Sequence, residues 1–247
     1  MKTFNKEFIE KVEEIKTTIY NKYGFTPINN IMLLIDQLIR LNNQKGIYLE
    51  LGTFRGSTIL SCAEAVKKFN LKVDLYGIDT FTGFPESKET NPYDHPKHFK
   101  ELFKNNLITK DHYEFASKRT QEFKNLDHLN SFYFKDTNNI FSRVKNYDNI
   151  YLVESEIINS GDKIKRPIKV LFFDCDLYDS YSDGLKLFYD KVIDGGVIVF
   201  DEYYSYKYPG ALQAINDFFK DKNHEIIKYQ TPEGFERAMV IKWELYQ

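Results

Sequence analysis

Four acidic residues follow two apolar runs in the second half of the sequence. Asp174 and Asp176 follow the run VLFF, and Asp201 and Glu202 follow the run VIVF. If both runs are neighbouring parallel strands, these side chains meet at one edge of the sheet, where α/β proteins place their sites. Carboxylates at such close range repel one another, and a hard divalent cation would offset that repulsion. The pattern predicts a site for Mg²⁺, or for Ca²⁺ or Mn²⁺; the alternative is that some of these acids, such as Asp176 or Asp179, cap the following helices.

A second group of residues lies at 48–57, where the sequence is YLELGTFRGS. Glu50 stands at the end of an apolar strand, and a turn with glycines then opens a helix. Glycine lets the backbone approach a ligand closely, and the first amides of a helix point toward it. The segment is neither a Gly-x-Gly-x-x-Gly loop nor a P-loop. It fits a nucleoside that carries a cation, such as S-adenosylmethionine, or a plain strand-to-helix turn.

A further acidic residue, Asp79, closes the next apolar run. An Asp at the end of the second strand can accept hydrogen bonds from both ribose hydroxyls. The alternative is an Asp that caps the following turn. In combination with the loop after Glu50, the nucleoside interpretation is favoured.

The elements that must position these residues alternate between apolar runs and helical periodicity from residue 46 onward, which is typical of a doubly wound α/β sheet. We predict a single domain over residues 1–247, in which residues 1–45 form a helical cap. Residues 82–148 are too many for a crossover connection, so we predict that they form a lid-like insertion or an oligomer contact. We predict parallel strands at 46–51, 73–78, 150–153, 170–173 and 197–200, an antiparallel hairpin at 225–229 and 237–242, and helices that include 57–69, 98–107, 111–124 and 182–192.

The composition of the chain disfavours several classes of protein. The chain has 247 residues with 34 basic and 36 acidic side chains, a net charge of −2, which does not favour nucleic acid or an anionic membrane as a partner. Its apolar runs are far shorter than the roughly 20 residues that span a bilayer, and its charged start lacks the apolar core of a signal peptide. Two cysteines suit a reducing compartment, and no zinc-type spacing occurs. We therefore expect a cytoplasmic protein, with a homo-oligomer as one possible state.

In their order along the chain, these segments resemble the macrocin O-methyltransferase (TylF-like) family of class I S-adenosylmethionine-dependent methyltransferases. The resemblance runs from about residue 26 to residue 243. Residues 50–57 are similar to the family's acidic residue followed by Gly-x-x-Arg-Gly, and 79–86 to its Asp-Ser/Thr-Phe-x-Gly-x-Pro. Residues 174–180 are similar to its Asp-Gly-Asp-Leu-Tyr-Glu-Ser, and 195–214 to its Gly-Gly, apolar run, Asp-Asp-Tyr, Pro-Gly and Ala.

The resemblance implies a Rossmann-like, seven-stranded methyltransferase sheet, mostly parallel with a C-terminal antiparallel hairpin and helices on both faces. It also implies methyl transfer to a hydroxyl of a small polar acceptor, commonly a sugar of an antibiotic or polysaccharide, with Mg²⁺ in many members. By position, Asp174, Asp201 and Glu202 would bind the metal and Asp176 would be the general base. Glu202 departs from the family's second Asp, and Cys175 from its glycine.

S-adenosylmethionine would be held by a larger set of residues in the first half of the chain, with the methionine end at the first loop, the ribose at the second strand and the adenine at the third. The set is Glu50, Gly52, Thr53, Arg55, Gly56, Ser57, Asp79, Thr80, Glu154 and Ser155. Three alternatives stay open: an amine or phosphorus oxyacid acceptor, a non-catalytic nucleoside-binding protein of the same fold, and an NAD-dependent oxidoreductase. The missing third glycine and the terminal hairpin disfavour the last.

Overall fold

The computed structural model describes residues 4–25, 31–83, 91–122, 139–230 and 236–243. Within these ranges the helices are α1 (Lys6–Tyr23), α2 (Ile31–Arg40), α3 (Ser57–Lys68), α4 (His98–Lys104), α5 (Lys110–Glu122), α6 (Asn139–Val144), α7 (Tyr178–Phe188) and α8 (Pro209–Phe219). The strands are β1 (Ile47–Leu51), β2 (Leu75–Asp79), β3 (Ile150–Glu154), β4 (Ile168–Phe173), β5 (Val192–Phe200), β6 (Ile227–Gln230) and β7 (Glu236–Ile241).

The strands form one seven-stranded sheet in the order β3-β2-β1-β4-β5-β7-β6. The first five are mutually parallel, whereas β7 runs antiparallel to β5 and β6 runs antiparallel to β7. This topology confirms the predicted sheet with its closing hairpin. It also places the ends of β4 and β5 side by side, as the carboxylate argument requires.

Both faces of the sheet are covered. Every residue of β1 and of β4 is buried, as expected for central parallel strands. One face joins α7 and α8 in a core that includes Leu49 and Phe173. The other joins α1, α2 and α3 in a core that includes Tyr48 and Phe172. The N-terminal helices are therefore part of one covering layer of the sheet.

The predicted ends of several elements were wrong, most of all those of α7 and β5. Helix α7 begins at Tyr178 and ends at Phe188, and β5 begins at Val192 instead of residue 197. A glycine pair that resembles a turn lies inside β5, where Gly195 has a φ of +70° and donates its N–H to the carbonyl of Lys242 at 2.7 Å. The pairing of β4 with β5 shifts register there. The pair is thus an irregularity within a strand, which glycine permits.

Helices α4, α5 and α6 belong to the predicted insertion, of which residues 84–90 and 123–138 lie outside the described residues. The insertion docks on the elements that follow β4 and β5. Asp94 accepts the N–H of Tyr178, the first residue of α7, at 2.8 Å. A Cβ on Gly210 in α8 would overlap the Asp94 carboxylate, so the Pro-Gly start of α8 leaves the space that Asp94 needs. No helix among the described residues has the length and apolar character to cross a membrane.

Candidate functional site

A cavity of about 600 Å³ lies at the carboxyl edge of the parallel strands. We distinguish a β1–β3 half, lined by residues from within 52–58, 78–83 and 155–157, from a β4–β5 half, lined by residues from within 174–180 and 201–208. Phe25 and Arg237 also line the cavity. The sheet order makes the two halves continuous, because β1 lies between β2 and β4.

The loop after β1 is shaped by a close approach between two strands. Gly52 has a φ of +88°, and a Cβ built on it would overlap the backbone carbonyl of Asp174. Its N–H donates to the carbonyl of Ile78 at 2.9 Å, while the N–H of Asp174 donates to the carbonyl of Leu51 at 2.9 Å. Only glycine fits this position without moving β4, which explains its place in the motif.

Asp79 connects the two loops of the β1–β3 half. One carboxylate oxygen accepts the N–H of Phe54 at 2.8 Å and the other accepts the N–H of Phe81 at 2.8 Å. Both phenylalanines have positive φ angles, of 49° and 54°. Burial raises the pKa of Asp79, and the backbone N–H groups oppose that rise. Asp79 thus caps its own turn, as the alternative had it, and also lines the cavity.

The predicted donor residues divide into two sets. Glu50, Gly56 and Glu154 are described but do not line the cavity. Glu50 is 1% exposed and shares a strand face with Tyr48, whose hydroxyl donates a hydrogen bond to its carboxylate at 2.6 Å. Burial raises the pKa of Glu50 to about 8. The residues that do line the cavity are Gly52, Thr53, Arg55, Ser57, Asp79, Thr80 and Ser155.

Three carboxylates come together in the β4–β5 half. Asp174, Asp201 and Glu202 each offer an oxygen, and these oxygens lie within 4.8 Å of one another. The pKa values of Asp174 and Glu202 are raised by burial and by the charges of the other acids, first of all Asp201. Arg237 approaches Asp201, with 3.6 Å between Nε and the carboxylate oxygen. Hard oxygen ligands at this spacing fit a divalent cation such as Mg²⁺.

Glu202 reaches the cluster although its side chain is longer than the Asp of the family pattern. It is 5% exposed, and its carboxylate accepts the hydroxyl of Tyr181 at 2.5 Å. The N–H of Glu202 donates to the same hydroxyl oxygen at 3.2 Å. The hydroxyl of Tyr181, a fully buried residue of α7, therefore holds both the carboxylate and the backbone N–H of Glu202.

Asp176 lines the cavity beside the cluster with a φ of +63°. The alternative of helix capping does not apply to it, because the first N–H of α7 is accepted by Asp94. Burial and the charge of Asp201 raise the pKa of Asp176 to about 8, against the opposing charge of Lys207. Cys175, between the two aspartates, has its pKa raised by burial and by Glu202, as expected for a thiol that is not a nucleophile.

The loop that forms a wall of the β4–β5 half was not predicted from the sequence. Tyr204, Tyr206 and Tyr208 alternate along it and line the cavity. The Tyr208 hydroxyl is buried and has no hydrogen-bond partner among the described residues. His112 in α5 holds the loop through a 3.0 Å contact between its Nε2 and the carbonyl of Ser205. The alternating tyrosines at 204, 206 and 208 were a sequence signal that could have indicated this wall. The contact between His112 and Ser205 joins distant segments and leaves no such signal in the sequence.

Comparison with known families supports the resemblance. The family model described as macrocin-O-methyltransferase (TylF) matches residues 161–229. This stretch contains β4, β5 and the four acids that line the β4–β5 half of the cavity. The match spans 69 of the 247 residues; it confirms the predicted resemblance there and indicates an S-adenosylmethionine-dependent methyltransferase. A comparison with curated protein sequences gave no significant match.

Solved structures share the fold. The O-methyltransferase NovP has a TM-score of 0.61 at 18% identity, with 87% of this chain and 78% of NovP covered. CalS11, a calicheamicin methyltransferase, has a TM-score of 0.53 at 19% identity, with 98% and 95% covered. The Streptococcus mutans protein SMU.1697c, solved with S-adenosylhomocysteine, has a TM-score of 0.50 at 14% identity, with 86% and 97% covered. At these identities the likeness confirms the methyltransferase fold.

Proposed function

We propose that this methyltransferase transfers a methyl group from S-adenosylmethionine to a hydroxyl oxygen of a sugar-containing small molecule, assisted by a divalent cation. The observation that carries the proposal is the continuity of one cavity from Asp79 to the carboxylates of the β4–β5 half. A volume of about 600 Å³ is typical of small-molecule sites. A donor over β1–β3 and an acceptor over β4–β5 would then meet above β1 and β4.

The donor would occupy the β1–β3 half. Asp79 would face the ribose, while Thr80 and Ser155 would border the nucleoside. Arg55 lines the cavity just before α3, where a cation and the first amides of a helix both favour a carboxylate. The methionine end would therefore lie at Arg55 and Ser57. Glu50 would act from beneath the loop, since it is buried away from the cavity.

Asp176 would accept the proton of the acceptor hydroxyl as the methyl group moves in line from the donor sulfur to the acceptor oxygen. The S–C bond breaks as the O–C bond forms, and S-adenosylhomocysteine leaves. Placing the two reactants in line can supply roughly 7–11 kcal/mol of the acceleration. A positioned base contributes a further factor of about 10² to 10⁴.

Asp174, Asp201 and Glu202 would hold the cation. Their oxygens are clustered, and burial with the negative charge of Asp201 raises the pKa values of Asp174 and Glu202; a hard cation would offset that charge. When bound, a divalent cation lowers the pKa of a hydroxyl that it contacts and of the carboxylates around it. Asp176 would then be ionised at neutral pH, as a general base must be.

A nucleotide sugar is the acceptor class that we propose. CalS11 is described as a TDP-rhamnose 3′-O-methyltransferase in calicheamicin biosynthesis. In this chain the three tyrosines of the wall offer aromatic faces to a sugar ring, and Lys207 offers a cation to a phosphate.

Both cysteines are buried thiols without a disulfide. This fits a reducing compartment, and we propose that the enzyme acts in the cytoplasm.

Calorimetric binding of S-adenosylhomocysteine, with and without Mg²⁺ and with NAD as control, tests the donor site. We expect micromolar binding of S-adenosylhomocysteine and none of NAD. Transfer of an isotope-labelled methyl group to TDP-rhamnose, followed by mass spectrometry with and without EDTA, then tests the acceptor and the cation. Folded protein that binds no S-adenosylhomocysteine would overturn the methyl-transfer proposal, whereas donor binding with transfer only to amines would overturn the hydroxyl acceptor.

A further inference from the structure

The short helix α6 closes against the loops of the β1–β3 half from outside the cavity. Ile140 packs on Gly56, where an added Cβ would come within 2.8 Å of the Ile140 Cδ1 atom. Phe141 meets Phe81 edge to face, with 4.9 Å between ring centroids. These contacts place α6, at the end of the insertion, on both loops that carry the proposed donor residues.

Arg143 is the polar contact between α6 and the first of these loops. Its Nη1 donates to the carbonyl of Arg55 at 3.0 Å. Its guanidinium lies 5.1 Å from the ring centroid of Phe25 and 5.9 Å from that of Tyr23. Arg143 therefore joins the end of α1, the end of the insertion and the backbone of the donor loop.

The aromatic pair under Arg143 is itself fixed to the helix that follows the donor loop. Tyr23 and Phe25 stack with 5.8 Å between centroids. The hydroxyls of Tyr23 and Tyr147 are 3.4 Å apart, and Tyr147 donates to Glu64 of α3 at 2.6 Å. The support behind Arg143 is thus linked to α3 by hydrogen bonds, and Phe25 also lines the cavity.

We propose that Arg143 is a positioning residue for the amino-acid end of the methyl donor. This inference rests on the proposed function. By holding the Arg55 carbonyl, Arg143 fixes the peptide from which the Arg55 side chain enters the cavity. A planar guanidinium suits this role, because it donates in its own plane while its faces rest on aromatic rings. The ribose and adenine contacts lie on other loops, and Asp79 meets the Arg55 loop only through the N–H of Phe54, so the loss of Arg143 should affect them less.

Two probes separate the ends of the donor. S-adenosylhomocysteine carries the amino-acid end, and 5′-methylthioadenosine has the same nucleoside without it. For Arg143→Ala we expect calorimetric affinity for S-adenosylhomocysteine to fall about 5- to 20-fold, and affinity for 5′-methylthioadenosine to change less than about twofold. Arg143→Lys keeps the charge but loses the planar fork, so it should fall between wild type and Arg143→Ala.

Arg166→Ala is the matched control, since Arg166 is a half-exposed arginine that pairs with Asp74 away from the cavity. It should leave both affinities unchanged. A double-mutant cycle with Arg55→Ala gives a second decision that does not depend on the smaller probe. If Arg143 acts through Arg55, the loss caused by Arg143→Ala disappears in the Arg55→Ala background.

The outcomes are distinct. Equal losses for both probes, or an undiminished loss in the Arg55→Ala background, would make Arg143 a general structural residue and overturn the inference. An Arg143→Ala variant with wild-type affinity would do the same. Wild-type protein that binds neither probe would overturn the proposed function itself, and the inference with it.

Discussion

The two halves of the cavity place buried acids in opposite surroundings. In the β1–β3 half, Asp79 accepts two backbone N–H groups at 2.8 Å each, and they oppose the rise of its pKa. In the β4–β5 half, burial and then the charges of Asp201 and Asp176 raise the pKa values of Asp174 and Glu202. One half is organised by the backbone, whereas the other concentrates negative charge that a cation would stabilise. This difference separates a binding surface from a reactive one.

The largest expected effect is on turnover, and it comes from the β4–β5 half. Asp176→Asn removes the proposed base while keeping the size of the side chain. We expect kcat to fall by about 10² to 10⁴, because the proposal assigns the three neighbouring carboxylates to the cation and leaves Asp176 to receive the acceptor proton. Single-turnover methyl transfer at saturating donor measures this. Affinity for S-adenosylhomocysteine should stay within about twofold, and an Asn variant with wild-type turnover would remove Asp176 from the mechanism.

The counterpart in the β1–β3 half should change affinity instead. Asp79→Ala removes the acceptor of two partly buried N–H groups, and we expect S-adenosylhomocysteine to bind about 10- to 100-fold more weakly, with stability lower by about 2 kcal/mol. Calorimetry and urea unfolding measure the two effects. Asp79→Asn keeps one oxygen and should lose less. If Asp79→Ala lowered kcat as strongly as Asp176→Asn, the proposed division between the halves would be wrong.

The same difference explains how much the sequence revealed. The β1–β3 half could be predicted because backbone geometry leaves marks on residue type: Gly52 has no room for a Cβ, and Asp79 closes a strand. Strand ends also predicted where the acids of the β4–β5 half meet. The glycines at 195 and 196 led to a wrong predicted start of β5, because an irregularity inside a strand uses the same residue type as a turn. Contacts between distant segments, such as His112 with Ser205, leave no spacing to detect.

A smaller effect should come from the wall of the β4–β5 half. Tyr208→Phe removes a buried hydroxyl that has no partner among the described residues, and it keeps the ring. Burial and the charge of Asp176 raise the pKa of Tyr208, so the hydroxyl stays protonated and can donate to an acceptor oxygen. We expect the acceptor KM to rise about 5- to 20-fold with no loss of stability. Steady-state kinetics with TDP-rhamnose and thermal unfolding measure both.

Tyr203→Phe is the control for this change. Tyr203 neighbours the wall, but its hydroxyl bonds to Asn216 and does not line the cavity. We expect this variant to lose stability and to keep the acceptor KM. An unchanged KM in Tyr208→Phe would place the acceptor away from that hydroxyl.

The smallest expected effect is a pH dependence that sharpens the contrast. Asp94 beside the β4–β5 half accepts a single N–H, from Tyr178, and burial raises its pKa from 3.8 to about 7. Ionisation of Asp94 therefore disfavours the folded state, so its stabilising contribution is complete below about pH 4 and is lost as pH rises toward about 7. Because Asp94 is partly exposed, we expect wild type to lose about 1 kcal/mol relative to Asp94→Asn across this window.

Urea unfolding of both proteins at about pH 5 and about pH 8 measures this difference, with the exposed Asp111→Asn as control. Asp111→Asn should follow the pH profile of wild type. Other acids of the cavity contribute to the wild-type profile as well, so the quantity of interest is the difference between wild type and Asp94→Asn. If the stability of wild type and of Asp94→Asn changed equally with pH, one backbone N–H would be enough to offset the burial of the Asp94 carboxylate. The difference between the two halves would then be limited to Asp79 and the clustered acids.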